Sequence, residues 1–167
     1  MEAFLMTTVY VNWGPSLVKL TWTPFDQPPR PEFITSVHGM CFHEKQLLLV
    51  DIKNRGWNFP GGHIELNETA LACVKREVLE EACVEGDCSY LGYVEVDHSE
   101  NPAWNSDSPY PMIGYQAFYY MDVTKVHPFD ALYESSRRLF VNPNEVIQHS
   151  AEWHDVYDEI LNSAINL

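Results

Sequence analysis

Glu77, Glu80 and Glu81 stand at positions i, i+3 and i+4. At about 100° per residue, a helix puts all three on one arc within a single turn. Like charges that close repel, so folding alone gives little reason to cluster them. A hard divalent cation with oxygen ligands supplies a reason. Just upstream, Pro60-Gly61-Gly62 offers bare backbone, which a ligand can approach closely. Mg²⁺ takes few protein oxygens, keeps water and binds substrate phosphates. The chemistry expected is metal-assisted attack of water on a phosphoanhydride, with a carboxylate helping to activate the water.

The elements that must hold these residues can be read from the same pattern. Thr69 to about Ala82 has no interior Gly or Pro and reads as a helix, with Asn67 as its N-cap. Leu71, Val74, Val78 and Ala82 form the stripe expected to dock on a sheet. Ile34–Phe42 and Gln46–Ile52 read as a hairpin around His43-Glu44-Lys45. The run Leu47-Leu48-Leu49-Val50 suits a strand buried on both faces. Ser89–His98, Met112–Val123 and Arg138–Val141 read as strands, and Ser150–Ala164 as an amphipathic helix. Glu100–Pro111 reads as a polar loop. Two N-terminal strands, Val9–Trp13 and Leu17–Trp22, flank Gly14-Pro15. A proline-rich arm from Thr23 to Pro31 then excludes helix and central strand. The expected class is α/β, a mixed sheet between helices with an N-terminal β-hairpin extension. The expected division is 1–31, hairpin and arm, and 32–167, the main body.

The totals narrow the function classes. The chain has 167 residues, 46% hydrophobic and 20% charged. That balance suits one globular domain. A formal net charge of −14 gives no general attraction for nucleic acid or anionic membrane. An anionic substrate would need local screening by divalent cations. No run reaches the ~18 apolar residues of a membrane span. Met1–Trp13 lacks the pattern of a signal peptide. The four cysteines make no C-x-x-C pair and the seven histidines no zinc spacing, so the cysteines read as reduced packing residues. A cytoplasmic location is the expectation.

The full stretch Gly62–Val84 resembles the Nudix box, G-x5-E-x7-R-E-U-x-E-E-x-G-U, where U is a bulky aliphatic residue. Gly62, Glu68, Arg76, Glu77, Val78, Glu80, Glu81 and Val84 match in register. Cys83 stands where the family has glycine, and Leu47–Val50 and Trp57–Gly62 also resemble the family's flanks. The resemblance implies a Nudix fold in which the box forms loop, helix and loop. It implies that Glu77, Glu80 and Glu81, joined by the Gly61 carbonyl, bind Mg²⁺ or Mn²⁺. Arg76 would orient a neighbouring glutamate and Glu68 would support it. The activity implied is hydrolysis of a pyrophosphate bond in a nucleoside diphosphate linked to another group. Nucleoside triphosphates lead as substrates; ADP-sugars, dinucleotides and 5′-triphosphorylated RNA follow, with long RNA disfavoured by the acidic charge. The alternative from another class is a non-catalytic nucleotide-sensing Nudix domain, which would normally have lost box glutamates.

Some expectations reach outside the box. Glu134, just before Arg138-Leu139-Phe140-Val141, is the first candidate for general base, with Glu95, Asp97 and Glu100 as rivals. Trp104 and Tyr110, on the polar loop, are candidates to cover substrate. Without glycine at 83, the helix is expected to run on to Glu85, with Gly86 as cap. In some Nudix enzymes an N-terminal extension packs across a dimer, so a homodimer through residues 1–31 is the partner expectation.

Overall fold

The computed structural model describes residues 6–24 and 27–167. Met1–Leu5, part of the segment read for a leader, and Phe25-Asp26 of the proline-rich arm lie outside the described residues. In chain order the elements begin with β1 (Thr8–Trp13), β2 (Ser16–Pro24), β3 (Ile34–His43), β4 (Gln46–Ile52), β5 (Gly56–Asn58) and β6 (Gly61–Gly62). Helix α1 (Ala70–Ala82) follows, then β7 (Val84–Asp97), β8 (Ile113–Val126), β9 (Ser135–Val141) and α2 (Asp155–Ile165). Short 3₁₀ turns sit at Pro31–Phe33 and Pro143–Gln148. The C-terminal helix expected over Ser150–Ala164 starts later, at Asp155, because its N-cap His154 is extended, with φ −147° and ψ 169°.

The sheet runs β1-β2-β7-β8-β3-β4-β5, with β6 on β3 and β9 on β4. It is mixed: β3 and β8 are parallel, and β7 and β8 form a long antiparallel pair. The N-terminal hairpin extends this sheet within its own chain, since β2 pairs antiparallel with β7. Two cores fill its faces. On one, Val18, Leu20, Trp22, Leu47 and Leu49 pack against Val156, Ile160 and Ala164 of α2. On the other, Val37, Cys41, Leu48, Val50 and Met121 pack against Cys73, Val74, Val78 and Ala82 of α1. Leu47–Val50 is thus buried on both faces, as its unbroken apolar run requires. The turn at Glu44-Lys45 takes φ 50° and 65°. Positive φ at both central residues is what a two-residue hairpin turn needs.

Several local expectations are corrected. Thr23 and Pro24, read as part of an arm outside any central strand, are the last residues of β2, which lies between β1 and β7; Pro24 sits at the strand's end, where a missing N–H is tolerated. The N-cap of α1 is Thr69, whose Oγ1 accepts from Ala72 N at 3.1 Å. Asn67 instead makes the preceding turn, with φ 62°. Leu71 is 42% exposed, and Cys73 takes its place in the docking stripe. Ala70, Cys73 and Val74 pack on the core at the start of the helix, while Leu71 stays outside it. Finally, α1 stops at Ala82. Cys83 itself adopts the left-handed cap, φ 56° and ψ 41°. Strand β7 starts at the next residue.

The strained cap is held by its neighbours. Cys83 N donates to Leu79 O at 3.1 Å, and Arg138 donates to the carbonyls of Ala82 (2.9 Å) and Cys83 (3.3 Å). That guanidinium satisfies orphan carbonyls and complements the negative helix end. The Cys83 thiol donates to Asp130 Oδ1 at 3.5 Å, tying the cap to the β8–β9 loop. Among the described residues, no helix is long and apolar enough to cross a membrane.

The cap gives a direct test. Cys83→Gly keeps the left-handed conformation without strain, whereas Cys83→Val puts a β-branched side chain on it. In urea unfolding, the valine protein is expected to be about 1–3 kcal/mol less stable than the glycine protein. Equal midpoints would mean that the cap carries no strain.

Candidate active site

The cleft arises where two neighbouring strands part. β3 and β4 pair only beside their turn, at Phe42↔Leu47 and His43↔Gln46. Beyond that they splay. The Phe59–Gly62 segment enters the gap, where Val37 pairs Gly62, His38 pairs Gly61, and Gly39 N donates to Pro60 O at 2.9 Å. Helix α1 lies over this insertion. A Cβ on Gly61 would strike the Val37 carbonyl, and one on Gly62 would strike the Glu77 carboxylate. Both glycines are therefore required by close approach.

The resulting cleft has a volume of about 450 Å³. Small-molecule sites typically span about 300–1,000 Å³. Glu77, Glu80 and Glu81 line it from α1, and Gly61 and Gly62 from the insertion. Arg76 organises the carboxylates. Its Nε and Nη2 grip both oxygens of Glu68, at 2.7 and 3.0 Å. Its Nη1 reaches Glu77 Oε1 at 2.8 Å and Glu80 Oε2 at 3.4 Å, and Nη2 also meets His63 O at 3.1 Å. Glu65 N donates to Glu68 Oε2 at 2.9 Å. Both Glu68 oxygens are thereby engaged, and the guanidinium holds its carboxyl down at about 2.

Glu77, Glu80 and Glu81 differ from Glu68. Each gives one oxygen to a protein hydrogen bond: Glu77 and Glu80 to Arg76, and Glu81 Oε2 to Gly61 N at 3.0 Å. Among the described residues, the second oxygen of each has no hydrogen-bond partner. Glu81 is only 5% exposed. Burial pushes its carboxyl up to about 7, against the Gly61 hydrogen bond, and Glu77, Glu134 and Glu80 add repulsion. Burial also raises Glu77. Among the described residues, no three acidic, histidine or cysteine side chains already form a cation cage. Yet carboxylates outnumber cations in the cleft, and three buried or half-buried glutamates each keep an oxygen free. That donor set fits a hard divalent cation.

Glu134 reaches the same cleft from the β8–β9 loop. Lys53 N donates to its carbonyl at 3.1 Å, and the next residue, Ser135, donates its hydroxyl to Glu81 O. The rivals lie elsewhere. Glu100 accepts from Tyr10 Oη at 2.8 Å, Asp97 accepts from Ser99 N at 2.7 Å, and Glu95 pairs across β8 with Tyr115. None of the three lines the cleft. Trp104 and Tyr110 belong to one loop, where Trp104 Nε1 donates to Tyr110 O at 3.1 Å. Tyr110 leans on His63, a cleft residue, with ring centroids 6.2 Å apart; neither Trp104 nor Tyr110 lines the cleft.

Several lining residues escape sequence reasoning: His38, Arg55, Asn58 and Tyr133. His38 stacks on Phe118 at 5.1 Å and meets Ser36 Oγ at 3.0 Å through Nε2. Burial, with a smaller push from His63, lowers it to about 4. Arg55 and Asn58 flank Trp57 in the turn segment, and only their closeness to Gly61-Gly62 could have flagged them. Tyr133 had one signal, its position beside Glu134.

The sequence matches the NUDIX domain family over residues 32–162. Among solved structures, a pyrophosphohydrolase from Bacillus subtilis is 20% identical, with 89% of this chain and 91% of that one covered and a TM-score of 0.71. The NUDIX domain of Shewanella oneidensis NrtR, solved with ADP ribose, is 17% identical, covering 80% and 86%, with a TM-score of 0.58. The dihydroneopterin triphosphate pyrophosphohydrolase of E. coli is 17% identical, covering 83% and 97%, with a TM-score of 0.58. Among curated proteins, no sequence match was found.

His38 and Glu81 make opposite contributions to stability. The folded His38 sits below its ordinary value, so its contribution is lost as pH falls from about 6.5 to about 4. The folded Glu81 sits above its ordinary value, so its contribution is lost as pH rises from about 4.5 to about 7. In metal-free buffer, Glu81→Gln is expected to steepen the loss of stability on acidification across this window. His38→Gln is expected to flatten it. Denaturant midpoints taken at several pH values check both signs.

Proposed function

The chain belongs to the Nudix hydrolase family, and from that premise we propose that it hydrolyses a pyrophosphate bond in a nucleoside diphosphate-linked substrate with Mg²⁺ or Mn²⁺. The observation that carries the reading is the set of uncommitted oxygens on Glu77, Glu80 and Glu81 beside Gly61-Gly62 in one cleft. In this reading those glutamates and the Gly61 carbonyl hold the cation. Bound there, it neutralises phosphate charge and polarises the phosphoryl group. Arg76 keeps Glu77 and Glu80 oriented, and Glu68 keeps Arg76 in place. Glu134 takes the proton of the attacking water, since it lines the cleft with the box glutamates from the β8–β9 loop and its carboxylate has no hydrogen-bond or ion-pair partner among the described residues. Trp104 and Tyr110 serve at the rim, through Tyr110 on His63.

Nucleoside triphosphates are the favoured substrates. The cleft suits one nucleotide, and a net charge of −14 disfavours a long RNA. ADP-sugars, dinucleotides and 5′-triphosphorylated RNA complete the series to be compared. The reading places the protein in the cytoplasm, where its four free cysteines stay reduced. It treats 32–167 as the catalytic unit and 1–31 as an extension.

Phosphate and pyrophosphate release across this series, with Mg²⁺ or Mn²⁺, tests the activity. Turnover is expected, falling roughly 100-fold or more in Glu81→Gln, by analogy with losses on disturbing metal sites. Glu134→Gln should lower kcat by roughly 10²–10⁴-fold. Unchanged turnover in Glu81→Gln overturns the metal assignment, and binding without turnover would mark a nucleotide sensor.

The same proposal includes a homodimer through the N-terminal extension. β1 is an edge strand with no charged residue in Thr8–Trp13, the kind of edge that accepts a second strand. Light scattering should report a dimer, and Val11→Lys, on that strand, should shift it to monomer. A monomeric wild-type protein at assay concentrations removes this part.

A further inference from the structure

The box supplies the acidic lining of the cleft, and the β4–β5 turn segment and the β8–β9 loop line it with a different chemistry. We infer that Arg55, Asn58 and Tyr133 recognise the substrate, Arg55 and Asn58 by its phosphate oxygens and Tyr133 by its planar base. The inference rests on the pyrophosphohydrolase reading of the same cleft.

Electrostatics gives the first reason. A polyphosphate entering between Glu77, Glu80, Glu81 and Glu134 meets repulsion, and bound cations screen only the side they occupy. Two arginines line the cleft. Arg76 is spent on Glu68, Glu77, Glu80 and the His63 carbonyl. Arg55 has no ion-pair or side-chain hydrogen-bond partner among the described residues, so its charge is free for an anion. Its position is fixed, since it sits in the tight β4–β5 turn. There Asn54 and Gly56 take φ 64° and 79°, and Arg55 N donates to Ile52 O at 3.0 Å.

Asn58 gives the second reason. Its Oδ1 accepts from Phe59 N at 2.9 Å, which leaves the side-chain NH₂ to donate. The Arg55 guanidinium and the Asn58 NH₂ therefore present donors, the complement of phosphate oxygens.

Tyr133 gives the third. It lines the cleft with 53% of its surface exposed. An exposed aromatic ring on an anchored loop is a stacking surface for a planar base. The loop is pinned by Lys53 N on Glu134 O, by Ser135 on Glu81 O and by the Cys83 thiol on Asp130. Tyr133 stands directly beside Glu134. Stacking there would thus set the base at a fixed distance from the carboxylate proposed to take the proton.

The test is equilibrium calorimetry on the full chain in Mg²⁺, with a methylene-bridged ATP analogue and with inorganic tripolyphosphate. Arg55→Ala should weaken both ligands by about ten-fold. Tyr133→Ala should weaken the nucleotide by roughly five-fold or more and leave tripolyphosphate within about two-fold. Tyr133→Phe should restore nucleotide binding. Both positions are exposed, so unfolding midpoints should match wild type. Wild-type affinities in Arg55→Ala, equal losses for both ligands in Tyr133→Ala, or binding of neither ligand by wild type would each overturn the inference. Binding as expected without hydrolysis of any substrate would defeat the hydrolase reading and leave this one standing. Hydrolysis with KM unchanged in both variants would do the reverse.

Discussion

Arg76 uses its donors on five oxygens of four residues, and the arrangement of the cleft follows from that. Glu68, Glu77 and Glu80 would repel one another if left alone on and beside α1. The guanidinium brings them together, with Glu68 held through both oxygens and Glu77 and Glu80 through one each. The planar fork makes this geometry available in a way that an ammonium would not. It also divides the labour among the carboxylates. Glu68 is consumed as support, and the others keep an oxygen for something else.

The backbone constraint is coupled to that interaction. Gly62 has no side chain because the Glu77 carboxylate stands where one would be. Gly61 has none because it lies against β3, and its N–H meets Glu81. The insertion of Gly61-Gly62 is possible only because β3 and β4 separate after two residue pairs. Strand splay, glycine backbone and helical glutamates are therefore one feature, held from the sheet side by the two apolar cores.

The far end of α1 shows how a departure from the family pattern is accommodated. Cys83 accepts the left-handed backbone that glycine would take freely. Its thiol then does what glycine cannot and meets Asp130 in the β8–β9 loop. Arg138 and Ser135 bind the same helix end. The segment carrying Tyr133 and Glu134 is thus fastened to the helix carrying Glu77, Glu80 and Glu81.

By itself the sequence determined the local and periodic features. The i, i+3, i+4 spacing put three glutamates on one arc, and the apolar run Leu47–Val50 required a strand buried twice. The box residues identified the family, because their register is a matter of chain order alone. The sequence misjudged what depends on neighbours distant in the chain. It extended α1 past Cys83, since a non-glycine residue at positive φ is unfavourable unless tertiary contacts such as Arg138 and Asp130 hold it. It placed Leu71 in the docking stripe, since periodicity gives the apolar arc but not where the sheet begins. Only the tertiary structure decided that Glu134, rather than Glu95, Asp97 or Glu100, enters the cleft with the box glutamates. It alone brought Arg55, Asn58 and Tyr133 into the same cleft. Those residues come from a turn and a loop far apart in sequence. Their meeting is set by β4 pairing with both β5 and β9, a long-range choice that no local pattern encodes.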